Sequence, residues 1–278
     1  MPGSREQSAG DLAPGAMPQL IVTRARDPLA PHADARADTS LRAAGVQLHE
    51  FALIHIVPPA DVDAARALLD RLEEWQLAVP VSPSAVQAVL GLRRRAWPAS
   101  CAVGLIGAAS REAFEQALRA RGEPVRGLRL ICAQQPGADS EALWQALHAW
   151  RDDWRDARVL ILRGDGGRDW LAGVLREQGA HVEVLEAYRR VAPPPEAARL
   201  ARLRELLATG APWQIAAAAA VDNLCELLRA AGQEPRPALA GLRALVHHER
   251  VADAARAAGF GRVDVVEFRA EALLGALR

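Results

Sequence analysis

Lysine is absent from this 278-residue chain, so arginine supplies all 34 of its strongly basic side chains. Schiff-base chemistry on a lysine and a Walker phosphate loop are therefore excluded. Because 34 acidic residues balance the arginines, no bulk charge draws the chain to nucleic acid or to a membrane surface. Guanidinium groups without lysine instead favour bidentate recognition of carboxylates.

Cysteine is scarce, and long apolar runs are missing. The cysteines Cys101, Cys132 and Cys225 show no C-x-x-C spacing, which predicts neither disulfides nor a thiolate metal site and favours a reducing, cytoplasmic location. The longest apolar run, Ile215 to Val221, is far shorter than the roughly 20 residues of a membrane-spanning helix. We expect neither a membrane nor nucleic acid as a partner.

Residues 1–17 are rich in glycine, proline, serine and alanine, and they lack the apolar core of a secretory signal. We expect these residues to form a disordered tail. Met17 is then an alternative start to Met1.

From residue 18 onwards, short apolar strands alternate with helical stretches. The clearest example runs from Val159 to Tyr188, where a strand, a glycine turn, a helix and a second strand form a βαβ unit. The alternation predicts an α/β fold of parallel sheets with helices on both faces and ligand sites at the carboxyl ends of the strands. Other expected elements are extended segments at 19–23, 46–57, 77–81, 101–106, 128–132, 213–218, 243–247 and 263–268, and helices at 61–72, 112–121, 222–231 and 249–258 and from Ser84 and Ser140.

Two stretches mark passages between domains. An extended segment ends at Pro58-Pro59, and the proline run within residues 191–197 cannot lie inside a helix or a central strand. We predict two parallel-sheet α/β domains joined by a two-stranded linker, with a ligand cleft between them. A single larger doubly wound sheet would give almost the same pattern. The expected boundaries are 18–50 plus 196–278 for a discontinuous domain, 57–187 for an inserted domain, and 51–56 and 188–195 for the linker.

The turn Arg-Gly-Asp-Gly-Gly-Arg at residues 163–168 lies between a predicted strand and a predicted helix. Its backbone N–H groups and the helix dipole favour an anion, although the spacing is not the G-x-G-x-x-G of a dinucleotide site. The alternative is that the glycines only permit a tight turn and that the arginines are solvated.

Polar residues follow other predicted strands as well, so they would lie at the carboxyl edges of the sheets. Arg24 offers a guanidinium to a carboxylate. Ser82, Ser84 and Ser140 offer hydroxyls, although a serine in such a place is often a helix cap. Gly104 either allows a ligand to approach the backbone closely or simply ends a strand.

Tyr188 is the only tyrosine of the chain, and it stands at the second passage between the predicted domains. A phenol in this position can donate a proton or a hydrogen bond to a leaving oxygen, and the alternative is amphipathic packing. His247 and His248 suggest a metal pair, but neighbours along a strand point to opposite faces, so we expect no metal site there.

Six parts of the chain carry a resemblance: IVTR (21–24), SPSAV (82–86), AVG (102–104), SEAL (140–143), VLILRGDGGRDWL (159–171) and Tyr188 with Arg190. These segments resemble the uroporphyrinogen-III synthase family, the cyclising enzymes of tetrapyrrole biosynthesis. They occur in the family's order, and the resemblance covers nearly the whole chain after residue 18. The RGxGGR turn followed by a tyrosine is its most specific part.

The resemblance implies two α/β domains of flavodoxin-like or Rossmann-like type, with both ends of the chain in one domain. It also implies a monomeric lyase without cofactor or metal, whose partner is a small linear tetrapyrrole. This enzyme would cyclise hydroxymethylbilane to uroporphyrinogen III with loss of water and inversion of ring D. Tyr188 would be catalytic and assist departure of the hydroxyl. The implied substrate-binding residues are Arg24, Ser82, Ser84, Gly104, Ser140, Arg163, Gly164 and Gly167.

The chain departs from the family pattern at several cleft positions. Gly107 replaces a threonine, Ala219 and Ala220 fall in a stretch that usually carries two hydroxyl side chains, and His247 replaces a serine. One missing neutral hydrogen bond costs about 1 kcal/mol, so several losses weaken a site. These departures motivate two alternatives, a non-catalytic relative that binds tetrapyrroles and a two-lobed sensor of another small anion.

Overall fold

The computed structural model describes residues 17–25, 35–133, 139–167 and 169–278. The predicted tail lies outside the described residues except for Met17, and so does Arg168. The chain divides into two compact units. Unit 1 comprises the described residues of 17–25, 35–54 and 192–278, and unit 2 comprises those between 55 and 191.

Eleven strands and eleven α-helices alternate along the described chain, which confirms the predicted α/β class. A short 3₁₀ turn at Leu72–Glu74 follows the second helix. In chain order the elements are β1 (Gln19–Val22), α1 (Ala35–Ala43), β2 (Gln47–Glu50), β3 (His55–Val57), α2 (Val62–Leu69), β4 (Leu77–Pro80), α3 (Pro83–Leu92), β5 (Ala102–Leu105), α4 (Gly107–Ala120), β6 (Leu130–Cys132), α5 (Ser140–Trp150), β7 (Arg158–Gly164), α6 (Trp170–Glu177), β8 (His181–Val191), α7 (Ala197–Ala208), β9 (Trp213–Ile215), α8 (Ala218–Ala230), α9 (Pro235–Leu239), β10 (Arg243–Val246), α10 (Glu249–Ala258), β11 (Arg262–Val265) and α11 (Ala270–Leu277).

The sheet of unit 1 is parallel throughout, with the strand order β2-β1-β9-β10-β11. Counted within the unit, this is the order 2-1-3-4-5 of flavodoxin-like sheets. The order reverses between β1 and β9, where Ile21 lies level with Trp213. Ligands of such sheets bind at the carboxyl ends of the two strands that flank the reversal.

The sheet of unit 2 has the strand order β6-β5-β4-β7-β8-β3. Its five parallel strands follow the order 3-2-1-4-5 of a Rossmann-like half, and the reversal lies between β4 and β7. β3 runs antiparallel to β8, with His55 opposite Val191 and Val57 opposite Arg189. The chain leaves unit 1 just before β3 and returns to it just after β8, so this pair lies next to the two passages between the units along the chain. The linker bounds 51–56 and 188–195 stay a prediction.

Alternate side chains of the central strands form the core of each unit. In unit 2, Leu77 and Val79 of β4 are buried against Leu143 of α5 and Leu171 of α6. In unit 1, the side chains of β1 pack in the same way against α1 and α11. Each such side chain contributes about 1.5–3 kcal/mol when fully buried. The cores therefore fix the strands, and with them the residues that follow each carboxyl end.

The structure corrects two of the predicted extended segments. The segment at 46–57 is broken into two strands, and between them the ring of Phe51 packs edge-on against Trp213, with the ring centroids 6.1 Å apart. The strand predicted at 213–218 is shorter than expected, and α8 begins already at Ala218. The alanine run favours a helix, since alanine has the highest helix propensity.

Some predicted helices also change. The helix expected from residue 112 begins at Gly107, which has a positive φ of 73°. The helix expected at 61–72 ends at Leu69. The short or strongly polar helices α7, α9 and α11 have no counterpart among the predicted elements, because their apolar periodicity is weak and packing against the rest of the unit determines them.

Candidate functional site

Polar side chains of unit 2 gather where its sheet reverses strand order. β4 ends at Pro80 and leads to Ser82, while β7 ends at Gly164, which lies opposite Tyr188 of β8. Parallel strands direct their carboxyl ends to one edge of a sheet. The structure thus brings Ser82, Gly164 and Tyr188 together at this edge.

The ring of Tyr188 lies against the backbone of Gly164. Tyr188 is only 2% exposed, and a Cβ atom at position 164 would stand 2.5 Å from the ring atoms Cε2 and Cζ and 2.9 Å from the phenol oxygen. The ladder between β7 and β8 is irregular at Arg163 and Gly164, which sets Gly164 level with Tyr188. Gly164 therefore makes room for the tyrosine ring.

Ser82 combines a capping role with a contact to the phenol. It has extended backbone angles and caps α3, since its Oγ accepts a hydrogen bond from the backbone N–H of Ala85 at 3.1 Å. The same Oγ lies 3.5 Å from the phenol oxygen of Tyr188. Pro83 follows at the first helical position, where its missing N–H costs nothing. The cap fixes the hydroxyl beside the tyrosine.

Arg190 and Asp165 complete the surroundings of Tyr188. Nη2 of Arg190 donates a hydrogen bond to the phenol oxygen at 2.9 Å. The N–H of Asp165 donates to the carbonyl of Tyr188 at 3.1 Å, and the Asp165 carboxylate accepts from the N–H of Arg190 at 2.9 Å. Neither residue is among the predicted site residues. The spacing of two along a strand puts Arg190 on the face of Tyr188 and could have indicated it, whereas no sequence signal marks Asp165.

The side chain of Arg163 closes its own turn. Its Nη1 donates to the carbonyl of Gly167 and to Oδ1 of Asp169, both at 2.7 Å. A Cβ atom at position 167 would stand 2.8 Å from Cδ of Arg163, so Gly167 admits this side chain. Gly166 supplies the positive φ of 63° that the turn requires. In the described part of the turn, the glycines and the side chain of Arg163 therefore stabilise the conformation of the turn.

Three further predicted residues of unit 2 lie at helix starts or inside a strand. Ser84 lies in the first turn of α3. Ser140 is the first residue of α5, but the cap is Asp139, whose carboxylate accepts from the N–H of Ala142 at 2.9 Å. Gly104 lies inside β5 rather than at its end, and an added Cβ would meet Cγ2 of Val79 at 3.0 Å.

Arg24 is the one predicted site residue of unit 1. It follows β1 at the reversal of the unit 1 sheet, and its Nη2 forms an ion pair with Oδ1 of Asp38 at 2.5 Å. The preceding Thr23 is buried and donates its hydroxyl hydrogen to the carbonyl of Gln214 in β9 at 2.8 Å. Both polar groups therefore hold unit 1 together.

The positions that depart from the family pattern each have a structural consequence. The positive φ of Gly107 suits glycine and would strain a threonine. Ala219 and Ala220 lie in the first turn of α8, whose N-cap residue, Ala217, makes no side-chain hydrogen bond. The ring of His247 packs 5.0 Å from that of Phe268, and burial, with a smaller effect of His248, lowers the pKa of His247.

Nucleophilic and metal-binding alternatives find little support in the described residues. Burial raises the pKa of the thiol in all three cysteines, and that of Cys101 rises to about 12. His248 uses its Nδ1 to accept the N–H of Arg250 at 3.1 Å. Within the described ranges, no three His, Cys, Asp or Glu side chains group as metal ligands. Likewise, none of the described helices has the length and apolar character of a membrane span.

The fold is similar to that of solved structures from two bacteria. The uroporphyrinogen-III synthetase from Helicobacter pylori 26695 aligns with a TM-score of 0.54 and 11% identity, over 94% of this chain and 100% of that chain. A mutant uroporphyrinogen III synthase from the extremely thermophilic bacterium Thermus thermophilus aligns with a TM-score of 0.48 and 20% identity, over 93% and 97% of the two chains.

Two units, each with a parallel sheet and helices and one inserted in the sequence of the other, define a two-domain α/β protein. The family model described as "Uroporphyrinogen-III synthase HemD" matches residues 35–275. The chain therefore belongs to the uroporphyrinogen-III synthase family.

Proposed function

We propose that this protein is a lyase that cyclises hydroxymethylbilane to uroporphyrinogen III, with loss of water and inversion of ring D. The observation that carries the proposal is the phenol of Tyr188, held between Gly164 and Arg190 at the carboxyl edge of unit 2. Membership of the family supplies the substrate class, an open tetrapyrrole with carboxylate arms.

In the proposed reaction, Tyr188 acts as a general acid. Its proton passes to the hydroxyl oxygen of the bilane while the C–O bond breaks, and the electron pair of that bond leaves with the oxygen as water. The substituted α-carbon of ring D bonds to the carbon that lost the hydroxyl, which gives a spiro intermediate. The bond between ring D and its original bridge carbon then breaks, this bridge carbon bonds to the other α-carbon of ring D, and the proton lost there restores the phenol. Bilane is thus converted to uroporphyrinogen III plus one water. The Arg190 guanidinium, 2.9 Å away, stabilises the transient phenolate.

Much of the task is to hold a flexible chain in the geometry of ring closure. In this proposal Arg24 and the hydroxyls of Ser82, Ser84 and Ser140 bind substrate carboxylates. The turn residues Arg163, Gly164 and Gly167 shape the backbone against which Tyr188 packs. Gly104 allows β5 to pack closely against Val79. That the ligand lies in a cleft between the units stays a prediction.

The test is to give the purified protein hydroxymethylbilane and to resolve the isomers formed. Isomer III is expected from the wild type, whereas unaided closure gives isomer I. Tyr188→Phe keeps the ring over Gly164 and removes only the hydroxyl, so we expect at least a roughly hundredfold lower rate of isomer III formation. Its unfolding free energy should change by only about 1 kcal/mol.

Two outcomes would contradict the proposal. If the wild type yields only isomer I at the uncatalysed rate, the synthase function is wrong, and tight binding of the bilane without turnover would favour the non-catalytic relative. If Tyr188→Phe turns over as fast as the wild type, the role given to the phenol is wrong. Tyr188 is 2% exposed, so we also expect substrate to move the groups that cover it, which tyrosine spectroscopy can detect.

We further propose that the protein works as a monomer in the cytoplasm. Burial raises the pKa of all three cysteine thiols, which suits a reducing compartment. Light scattering on a sizing column checks the first point, and a dimer at micromolar concentration would contradict it.

A further inference from the structure

We infer that Arg190 is a positioning residue that orients the phenol of Tyr188 so that its proton points to a ligand. The guanidinium of arginine carries only donors. In the 2.9 Å contact between Nη2 of Arg190 and the phenol oxygen, the oxygen must therefore be the acceptor. The phenol hydrogen is then directed away from Arg190.

The described residues offer that hydrogen no short acceptor. Apart from Arg190, the polar neighbour of the phenol oxygen is Oγ of Ser82 at 3.5 Å. Hydrogen bonds between hydroxyls span about 2.5–3.0 Å, so this contact is too long to engage the proton fully. Oγ of Ser82 also already accepts the N–H of Ala85. A ligand oxygen, such as a hydroxyl that is about to leave, is the partner that completes the arrangement.

The backbone that carries this pair is held at both ends. The N–H of Asp165 binds the carbonyl of Tyr188, and the carboxylate of Asp165 receives the N–H of Arg190. Tyr188 and Arg190 are two residues apart on β8, so their side chains leave the same face of the strand. This clamp fixes the spacing of the two side chains before any ligand arrives, as a preorganised site requires.

Arg190 could instead bind a substrate carboxylate directly, because it is exposed to solvent. The two roles predict different kinetics. A carboxylate ligand acts independently of the phenol and affects KM, whereas a positioning residue acts through the phenol and affects kcat. The catalytic meaning of the inference rests on the proposed function, but the direction of the hydrogen bond does not.

The first experiment needs no turnover. Tyr188 is the only tyrosine, so the tyrosine Fermi doublet in a Raman spectrum of the whole protein reports on this residue alone. The relative intensity of its upper band is high when the phenol oxygen accepts a hydrogen bond and low when the phenol mainly donates. We expect the ratio to fall in Arg190→Met, to recover largely in Arg190→Lys, and to stay constant in the control Arg189→Met, whose side chain contacts the carbonyl of Pro58.

The second experiment is a double-mutant cycle on isomer III formation. We expect Arg190→Met to lower kcat at least about tenfold in the wild type and to add nothing in Tyr188→Phe. Equal losses in both backgrounds, or an unchanged Raman ratio in Arg190→Met, would overturn the inference. A wild type that forms no isomer III, with the Raman change intact, would overturn the proposed function while leaving the hydrogen-bond direction standing.

Discussion

Units 1 and 2 each contain a parallel sheet whose strand order reverses once, but they place different chemistry at the reversal. In unit 1, Thr23 donates to the carbonyl of Gln214 and Arg24 pairs with Asp38, so both groups bind within the unit. In unit 2, the phenol of Tyr188 accepts from Arg190 and keeps its own proton without a short acceptor among the described residues. Two parallel sheets with one reversal each thus carry different side-chain chemistry at their carboxyl edges.

The two units also differ in how deeply their short ion pairs are buried. The side chain of Arg93 in unit 2 is 0% exposed and pairs with Glu123 at 2.5 Å. The corresponding pair of unit 1, Arg243 with Asp264, is also 2.5 Å long, but its side chains are 21% and 27% exposed. Glu123 is 16% exposed, but the guanidinium of Arg93 is closed to water, whereas both partners of the second pair are partly exposed. The first pair is therefore expected to be more costly to break.

The largest effect should come from Glu123→Gln. This change leaves the buried guanidinium of Arg93 without its counter-charge and should cost about 3–5 kcal/mol in unfolding free energy. The matched change in unit 1, Asp264→Asn, should cost about 1 kcal/mol or less. Urea unfolding followed by tryptophan emission measures both, and equal costs would break the comparison.

The pair of Arg93 and Glu123 also predicts how the unfolding free energy depends on pH. Burial alone would raise the pKa of Glu123, but hydrogen bonds from Arg93 and Arg121 outweigh it and lower the pKa below its usual 4.5. A lowered folded-state pKa means that the stabilisation is present above pH 4.5 and is lost as the pH falls through the folded-state value. We expect the wild type to lose stability in this acidic range and Glu123→Gln to lack that part of the pH dependence.

The next effect concerns two close-packed glycines. Gly164→Ala in unit 2 pushes against the ring of Tyr188, so we expect a loss of about 1–3 kcal/mol in stability and a roughly hundredfold fall in isomer III formation. Gly261→Ala in unit 1 would put its Cβ 2.0 Å from the carbonyl oxygen of Ala240. It should destabilise the protein but leave turnover per folded molecule and the tyrosine Raman ratio unchanged. A loss of turnover in both variants would show that packing alone controls the rate.

A smaller effect is expected at Arg24. If unit 1 contributes binding and unit 2 contributes chemistry, Arg24→Gln raises KM by roughly threefold to tenfold at constant kcat. Arg42→Gln is the control, since Arg42 lies in the same unit and pairs with Glu50 at 3.6 Å on the surface. A fall in kcat at Arg24 would mean that unit 1 also takes part in the chemical step.

Local patterns predict the order of strand, turn, helix and strand over residues 159–188. The apolar run of β7, the glycine turn and the helix stop at Gly179, which has a φ of 91°, all depend on neighbouring residues. The switch from strand to helix near Ala218 was missed, because a short apolar alanine run fits either element. The candidate residue Ser82 could also be placed just after a strand from the sequence, whereas Tyr188, expected at a passage between domains, lies inside β8.

The contacts among these residues could not be predicted from the sequence, since such contacts depend on the register of the strands across the sheet. The irregular ladder beside Gly164 decides that this glycine, and not a neighbour, faces the ring of Tyr188 twenty-four residues later in the chain. Likewise, the clamp of Asp165 on Arg190 exists only once β7 and β8 are paired. The arginine of the turn was expected to meet an anion, but Arg163 binds the Gly167 carbonyl and Asp169.

The smallest effect tests the uncapped helix at the reversal of unit 1. Ala217 has the extended backbone of an N-cap, with φ −148° and ψ 144°, but no side-chain acceptor. Ala217→Ser should stabilise the protein by about 1 kcal/mol, just as Ser82→Ala should destabilise unit 2 by a similar amount. Ala230→Ser, near the far end of α8, is the control and should not stabilise, because no free N–H lies there. If Ala217→Ser lowers KM as well, the new hydroxyl also binds substrate. The carboxyl edge of unit 1 would then take part in substrate binding, as proposed for unit 2.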